Sequence, residues 1–222
     1  MQLNAKTMTI LKNFSSINPS LVFNEGNVLA TMSVGKTIIS KAKIPDNFPR
    51  KFAMNNLGRF INSITSYDNA SLSFNDKDVT ISGQNAGEKS KLTYASEDTI
   101  KTPPDKIINN FVLPSVDASC TLTSETLSSV QRQLGILGVP EIAFVGDGAS
   151  IHLQAVDSKN PSSDTFSVKI GDTDKTFRAI FKAENIKIIP GTYNVDISKN
   201  GISHFKGEDI EYWIAVETNS TF

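Results

Sequence analysis

Short alternating runs of apolar and polar residues dominate the chain and predict β-strands. The runs are rich in Val, Ile, Thr and Phe, and they end at Gly, Asn or Asp. The first half predicts strands at 20–23, 28–33, 37–44, 70–74, 79–82 and 90–94. The second half predicts strands at 141–145, 150–155, 166–170, 192–197 and 212–216.

Other stretches repeat apolar residues at intervals of three and four, which is typical of amphipathic helices. Thr123 is placed to cap one of these helices, and Pro190 with Gly191 to close the last of them. The predicted helical windows are 5–17, 54–66, 123–137 and 182–189. A chain of many strands with a few helices indicates an α+β fold.

The order of the predicted elements repeats in the two halves. Phe23 and Phe144 each follow the first helix of their half, whereas Phe52 and Phe181 each precede the second. Repetition at this scale predicts two similar domains. The polar, proline-containing stretch 97–110 is typical of a connector. We therefore predict domains at 1–110, including the connector, and at 111–222.

Charge separates between the helices and the rest of the chain. The 222 residues contain 22 Lys and Arg against 23 Asp and Glu, so bulk positive charge cannot hold nucleic acid. The helical windows nevertheless sum to +4 and the remainder to −5. Asn, Ser, Thr and Gln fill their other polar positions, and such side chains contact phosphate without reading bases. The basic residues of the helical windows are Lys6, Lys12, Arg59, Arg132, Lys182 and Lys187.

The residue types that carry catalysis or bind metal do not cluster in the sequence. One cysteine, Cys120, excludes a disulfide scaffold, and His152 and His204 are too far apart to suggest a metal centre. Residues 30–37 match a permissive phosphate-loop pattern, but a strand pattern follows where such a loop needs a helix. We therefore expect a protein that is not an enzyme and needs no cofactor or metal. No apolar run approaches the length of a membrane span, and the N-terminus has no signal-peptide core.

Three segments resemble the DNA polymerase sliding clamp of T-even-type tailed phages. They are 11–18 (Leu-Lys-Asn-Phe-Ser-Ser-Ile-Asn), 190–193 (Pro-Gly-Thr-Tyr) and the pattern Lys-Gly-Glu…Tyr…Ala…Glu…Ser-Thr within 206–221. The similarity extends along nearly the whole chain, with a looser match over 68–106. Trp213 stands where the family has a smaller apolar residue.

The resemblance implies a DNA-clamp fold and a homotrimeric ring of six domains. Sheets would form the outside of the ring, and helices would line a hole around duplex DNA. The implied partners are a replicative DNA polymerase, an ATP-dependent clamp loader and, in these phages, late-transcription factors. The implied location is the cytoplasm of the infected bacterial host.

The resemblance also implies two sets of functional residues. The six basic residues of the helical windows would face DNA without reading its sequence. A partner-peptide pocket beside the connector would be formed by Ile107, Ile108, Phe111, Phe205, Tyr212, Trp213 and Ile214. The same apolar residues would equally well fasten the connector to the second domain.

Another class of protein remains open at this point. A β-rich structural or assembly protein of a phage, which binds no DNA, would have the same strand content. The helical basic residues favour the clamp, because a structural protein has no reason to gather them there.

Overall fold

The computed structural model describes residues 1–84 and 87–222 of the chain. Contacts between residues divide it into two compact units, Met1–Asn110 and Phe111–Phe222. The division falls at the residue where the sequence predicts a boundary. That the two units are the clamp domains 1–110 and 111–222 stays a prediction.

The first unit contains two helices of at least two turns, a short helix and seven strands within its described residues. Strand β1 pairs with β4, β2 pairs with β3, and β5, β6 and β7 form an antiparallel sheet. The elements are α1 (Ala5–Ile17), β1 (Leu21–Phe23), β2 (Gly26–Met32), β3 (Ile38–Phe48), β4 (Phe52–Met54), α2 (Leu57–Thr65), β5 (Ser71–Phe74), β6 (Asp78–Ser82), β7 (Lys89–Thr93) and α3 (Asp105–Asn110).

The second unit contains one long helix and two antiparallel arrays of strands. One array has the order β11-β10-β9-β12, and the other has the order β8-β13-β14-β15. The elements are β8 (Ala118–Leu122), α4 (Ser124–Leu137), β9 (Glu141–Asp147), β10 (Ser150–Val156), β11 (Phe166–Asp172), β12 (Thr176–Lys182), β13 (Tyr193–Ser198), β14 (Ile202–Lys206) and β15 (Ile210–Ala215).

Both units have the order helix, four strands, helical segment, three strands, although β8 precedes α4 in the second unit and a 3₁₀ turn replaces the second helix there. Phe23 of β1 stacks on Phe52 of β4 with 4.4 Å between ring centroids. Phe144 of β9 meets Phe181 of β12 edge to face at 5.5 Å. Both pairs join the strand that follows the first helix to the strand that precedes the second helical segment. The α+β class is confirmed, and that the two units are similar domains stays a prediction.

Local chemistry fixes both ends of α4. The Thr123 hydroxyl oxygen accepts a hydrogen bond from the Thr126 backbone N–H at 3.2 Å, which is the predicted N-cap. Gly138 follows the helix with φ of 66°, a left-handed conformation that favours glycine and ends helices. The hairpin turn after β2 is also as predicted, because residues 33–37 join two strands and do not lead into a helix.

The predicted helix at 182–189 is wrong. Strand β12 continues to Lys182, and only a 3₁₀ turn over Ala183–Asn185 follows. The β-branched residues Ile186, Ile188 and Ile189 disfavour helix, and Pro190 excludes the helical conformation at the residue before it. The segment is therefore too short for a second helical turn.

The described part of the chain gives no sign of a metal centre or a membrane helix. No three His, Cys, Asp or Glu side chains within it lie close enough together to hold a metal ion. None of its helices has the length and apolar character to cross a bilayer.

Cys120 on β8 should react slowly in the native state. Burial raises the pKa of its thiol from 9.0 to about 12, which lowers the thiolate fraction at pH 8 on the order of a thousandfold. Iodoacetamide labelling followed by mass spectrometry should therefore be slow in buffer and fast in denaturing urea. Equal labelling rates in the two conditions would contradict this placement of Cys120.

Candidate nucleic-acid interface

Asparagine caps fix the start of the two long helices of the first unit. Asn4 Oδ1 accepts a hydrogen bond from the Lys6 backbone N–H at 2.8 Å, and Asn56 Oδ1 accepts one from the Arg59 backbone N–H at 2.8 Å. These bonds satisfy N–H groups that the first helical turn leaves unpaired. Lys6 and Arg59 therefore lie in the first turns of α1 and α2.

Each of the three long helices buries one face and exposes the other. The buried faces consist of Thr7, Ile10, Leu11, Phe14 and Ile17 on α1, Leu57, Phe60, Ile61 and Ile64 on α2, and Leu127 and Val130 on α4. The opposite faces carry the exposed side chains of Lys6, Lys12, Arg59, Asn62, Ser128, Gln131 and Arg132. With Glu125 included, the three helices have a net charge of +3.

Several basic residues outside these helices are neutralised by carboxylates within the same unit. Arg50 pairs with Asp76 at 3.1 Å, and Lys91 pairs with Asp78 at 3.0 Å. The other pairs are Lys51–Glu97, Lys169–Asp172 and Lys199–Asp117. Among the described residues, Lys12, Arg59 and Arg132 form no such pair. Lys12, Arg59 and Arg132 therefore present positive charge with which no carboxylate of the described chain forms an ion pair.

Two depressions meet at Arg59 and contain no carboxylate. A shallow one of about 510 Å³ follows the exposed face of α2 and is lined by Asn56, Gly58, Arg59, Asn62, Ser63 and Ser66. A second one, of about 380 Å³, extends from Asn56 and Arg59 to Lys91 and Thr93 on β7. Amide, hydroxyl and guanidinium groups are donors that suit phosphate oxygens. Lys91 was not among the predicted residues, because it lies on a strand.

Lys182 and Lys187 do not belong to the helical faces. Both side chains are exposed, but Lys182 ends strand β12 and Lys187 follows the 3₁₀ turn. Lys182 borders a depression of about 420 Å³ that also contains Glu141 and Glu184. Its surroundings are therefore mixed in charge, unlike those of Arg59. That these two lysines face DNA stays a prediction.

Strand alternation divides the predicted partner-peptide pocket. Phe205, Tyr212 and Ile214 are each 0% exposed and lie on the core face of β14 and β15. Phe205 contacts Phe144 and Phe181 edge to face at 6.2 and 6.0 Å. Their assignment to an exposed pocket is therefore corrected: they are core residues of the second unit.

Trp213 faces the opposite side of its strand from Tyr212 and Ile214. Its ring stacks on His204 with 4.9 Å between centroids, and Phe111 meets it edge-on at 6.3 Å. His204 Nε2 and a Glu211 carboxylate oxygen are 2.8 Å apart. Trp213 is 4% exposed, so its ring packs against His204 and Phe111 and offers little surface to a bound peptide. Sequence reasoning missed His204, although a hairpin centred near residue 208 would have placed it opposite Trp213.

Ile107 and Ile108 lie on α3, within the predicted connector. Both side chains are half-buried, and the Ile108 carbonyl accepts a hydrogen bond from Lys41 Nζ at 2.6 Å. After α3, Phe111 is half-buried, and Val112 is 82% exposed. A role for these residues in binding a peptide stays a prediction.

The fold is that of the DNA clamps. The chain aligns with the proliferating cell nuclear antigen (PCNA) of A. fulgidus, solved with the C-terminal region of FEN-1 bound, with a TM-score of 0.71 at 11% identity over 98% of this chain and 97% of the other. It aligns with a putative DNA polymerase III beta subunit from Eubacterium rectale with a TM-score of 0.71 at 14% identity, covering 100% of this chain and 65% of the other.

The sequence comparison identifies the family. Residues 4–101 match the family model described as DNA polymerase processivity factor, and residues 119–218 match that of the gp45 sliding clamp, C terminal. The chain is 35% identical to a sliding clamp of Vibrio phage KVP40, over 98% of this chain and 99% of the other. It is 26% identical to the sliding clamp of Enterobacteria phage T4, over 100% and 99%. The chain belongs to the sliding clamps, a family of non-enzymatic DNA polymerase processivity factors.

Replacing Phe205 should destabilise the second unit. Phe205→Ala removes a ring that is fully buried, and such changes cost about 3–5 kcal/mol of unfolding free energy. The matched control is Val112→Ala, which changes an exposed side chain and should stay within about 0.5 kcal/mol. Urea denaturation measures the change in unfolding free energy for both variants. A Phe205→Ala variant as stable as the control would show that Phe205 is not a core residue and would again favour an exposed pocket.

Proposed function

We propose that three copies of the chain close into a ring that encircles duplex DNA and tethers the replicative polymerase to it. The exposed Lys12, Arg59 and Arg132, one on each of α1, α2 and α4 and none of them in an ion pair within the described chain, carry this proposal. Because the chain as a whole is slightly acidic, DNA would be attracted to these faces and not to the remaining surface. Closure of the ring would provide retention, so contact with phosphate can stay weak enough for sliding.

Features of two edge strands support self-association. Strands β7 and β11 are terminal strands of their sheets. On β7, Lys91 pairs with Asp78 and Lys89 is exposed, whereas on β11 Lys169 pairs with Asp172 and the exposed Asp164 and Asp174 lie beside the strand. A terminal strand on each unit, with backbone groups along its outer edge that the described residues leave unpaired, fits head-to-tail pairing between copies. Such heterologous pairing produces a ring when the rotation between copies closes.

Apolar side chains on β11 also support self-association. Phe166 and Val168 lie opposite the buried Ala155 and Leu153 of β10 and stay half-buried. Helix α4 packs against β11. A neighbouring copy would remove Phe166 and Val168 from water.

The polymerase contact rests on likeness to relatives. The A. fulgidus PCNA was solved with the C-terminal region of FEN-1 bound to it. We propose that this chain likewise takes a terminal peptide of the polymerase, at the surface of the second unit that includes Phe111 and Val112. The proposal also includes an ATP-dependent clamp loader, late-transcription factors and the cytoplasm of the infected bacterial host, on the strength of the family alone.

The DNA face is tested by removing its charge. A Lys12→Ala, Arg59→Ala, Arg132→Ala variant should shorten the products of primed-template extension severalfold, because each residue is exposed and unpaired. The matched control is Lys36→Ala, Lys77→Ala, Lys206→Ala, which removes the same charge from exposed residues of turns and strands. Equal shortening by both variants would defeat the assignment, and unchanged melting temperatures would exclude unfolding as the cause.

The oligomeric state is tested by light scattering across a dilution series. The proposal predicts a mass near three times 24.2 kDa for the chain. A Val168→Glu variant should shift the mass to that of a monomer, because it places charge among the half-buried apolar side chains of β11. A monomer at every concentration of the unmodified chain would contradict the ring.

A further inference from the structure

Residues 217–222 add a short strand segment to the free edge of β12. The Arg178 backbone N–H donates to the Thr221 carbonyl at 2.8 Å, and the Thr221 N–H donates to the Arg178 carbonyl at 2.9 Å. The Ile180 N–H donates to Ser220 Oγ at 2.9 Å, and the Ile180 carbonyl accepts from the Glu217 N–H at 2.8 Å. The outward backbone groups of Arg178 and Ile180 are therefore all satisfied by this segment.

An aromatic contact completes the segment's attachment. The ring of Phe222 lies parallel to that of Phe177, with 6.3 Å between centroids and 9° between planes. Phe177 occupies space that only a glycine at position 146 leaves free, because a Cβ there would lie 2.5 Å from the Phe177 ring. Phe177 is 4% exposed with Phe222 against it, so the second unit provides an aromatic seat for residue 222.

The segment is held at an edge and not within the core. Asn219, Thr221 and Phe222 are exposed, with Phe222 at 41%, and the pairing amounts to one isolated bridge. Exposed pairing of this extent belongs to the parts of a protein that open most readily. The edge beneath it is otherwise uncovered in the described chain, since β12 is the last strand of its sheet.

We propose that the edge of β12 is a strand-addition site, which residues 217–222 keep closed in the free protein. Its ligand class is an extended peptide with an aromatic residue in the position of Phe222 and a free backbone N–H in that of Thr221. Main-chain bonds to Arg178 and Ile180 provide attachment, and the seat on Phe177 provides selectivity. The site lies apart from the helical basic residues and does not depend on DNA binding.

One further group indicates what else such a peptide would carry. Arg178 Nε is buried and has no hydrogen-bond partner within the described chain. Thr221 lies directly opposite Arg178 in the bridge, so side chains at these two positions share a face. A carboxylate at the Thr221 position would supply the missing acceptor. The site therefore fits an acidic residue followed by an aromatic one better than it fits the chain's own segment.

The test uses the segment's own sequence as the probe. A fluorescein-labelled peptide Glu-Thr-Asn-Ser-Thr-Phe is titrated in fluorescence anisotropy against the unmodified chain and against the chain lacking residues 219–222. The tethered segment competes at an effective concentration in the millimolar range, so the deletion should strengthen binding at least about tenfold. Phe222→Ala in the full chain should give an intermediate affinity, because it loosens the segment and leaves its backbone in place.

Peptide variants separate strand addition from unspecific apolar contact. A peptide with Pro in the Thr221 position lacks the N–H that donates to the Arg178 carbonyl, and it should not bind the deletion variant. A peptide with Glu in that position should bind it more tightly than the original sequence does, and Arg178→Gln in the protein should abolish that gain. Equal binding to the intact and deleted chains, or binding of the Pro peptide, would overturn the proposal. So would absence of binding to a deletion variant that circular dichroism shows to be folded.

Discussion

Burial of one apolar stripe on each long helix is the constraint on which the remaining features depend. Phe14 of α1 and Phe60 of α2 are both 0% exposed, and burying such a side chain stabilises the fold by about 1.5–3 kcal/mol. Burying an unpaired lysine or arginine costs several kcal/mol. The helices can therefore rotate only to positions in which Lys12 and Arg59 face solvent. Core packing and the basic faces are two consequences of the same arrangement.

The helical faces were readable from the sequence because the apolar period is helical in α1, α2 and α4, and Thr123 marks the start of α4. The fourth helical window failed because it is only eight residues long and contains the β-branched Ile186, Ile188 and Ile189. Ile186 and Ile188 are both buried, as alternate residues of an extended chain can be. The periodicity of so short a segment does not separate the two conformations.

The peptide pocket shows a different limit of sequence reasoning. Tyr212, Trp213 and Ile214 are consecutive and apolar, which led us to treat them as one surface. On a strand, neighbouring residues point to opposite faces. Tyr212 and Ile214 therefore lie on one face of β15, and Trp213 lies on the other. His204 and Phe111 cover the face that carries Trp213. The His204 contact follows from the strand register, and the Phe111 contact comes from chain outside the hairpin.

Which sheet edges the chain covers, and which it leaves open, links the fold to the proposed assembly. A strand edge presents unpaired N–H and carbonyl groups that pair with any extended chain in reach. The chain covers two such edges by itself: Met1 exchanges hydrogen bonds with Leu72 of β5, and residues 217–221 cover β12. Strands β7 and β11 receive no such cover from the described residues of their own units. These two open edges are where we propose that copies of the chain pair. With β5 and β12 covered by the chain's own residues, fewer edges remain at which pairing with another chain could compete.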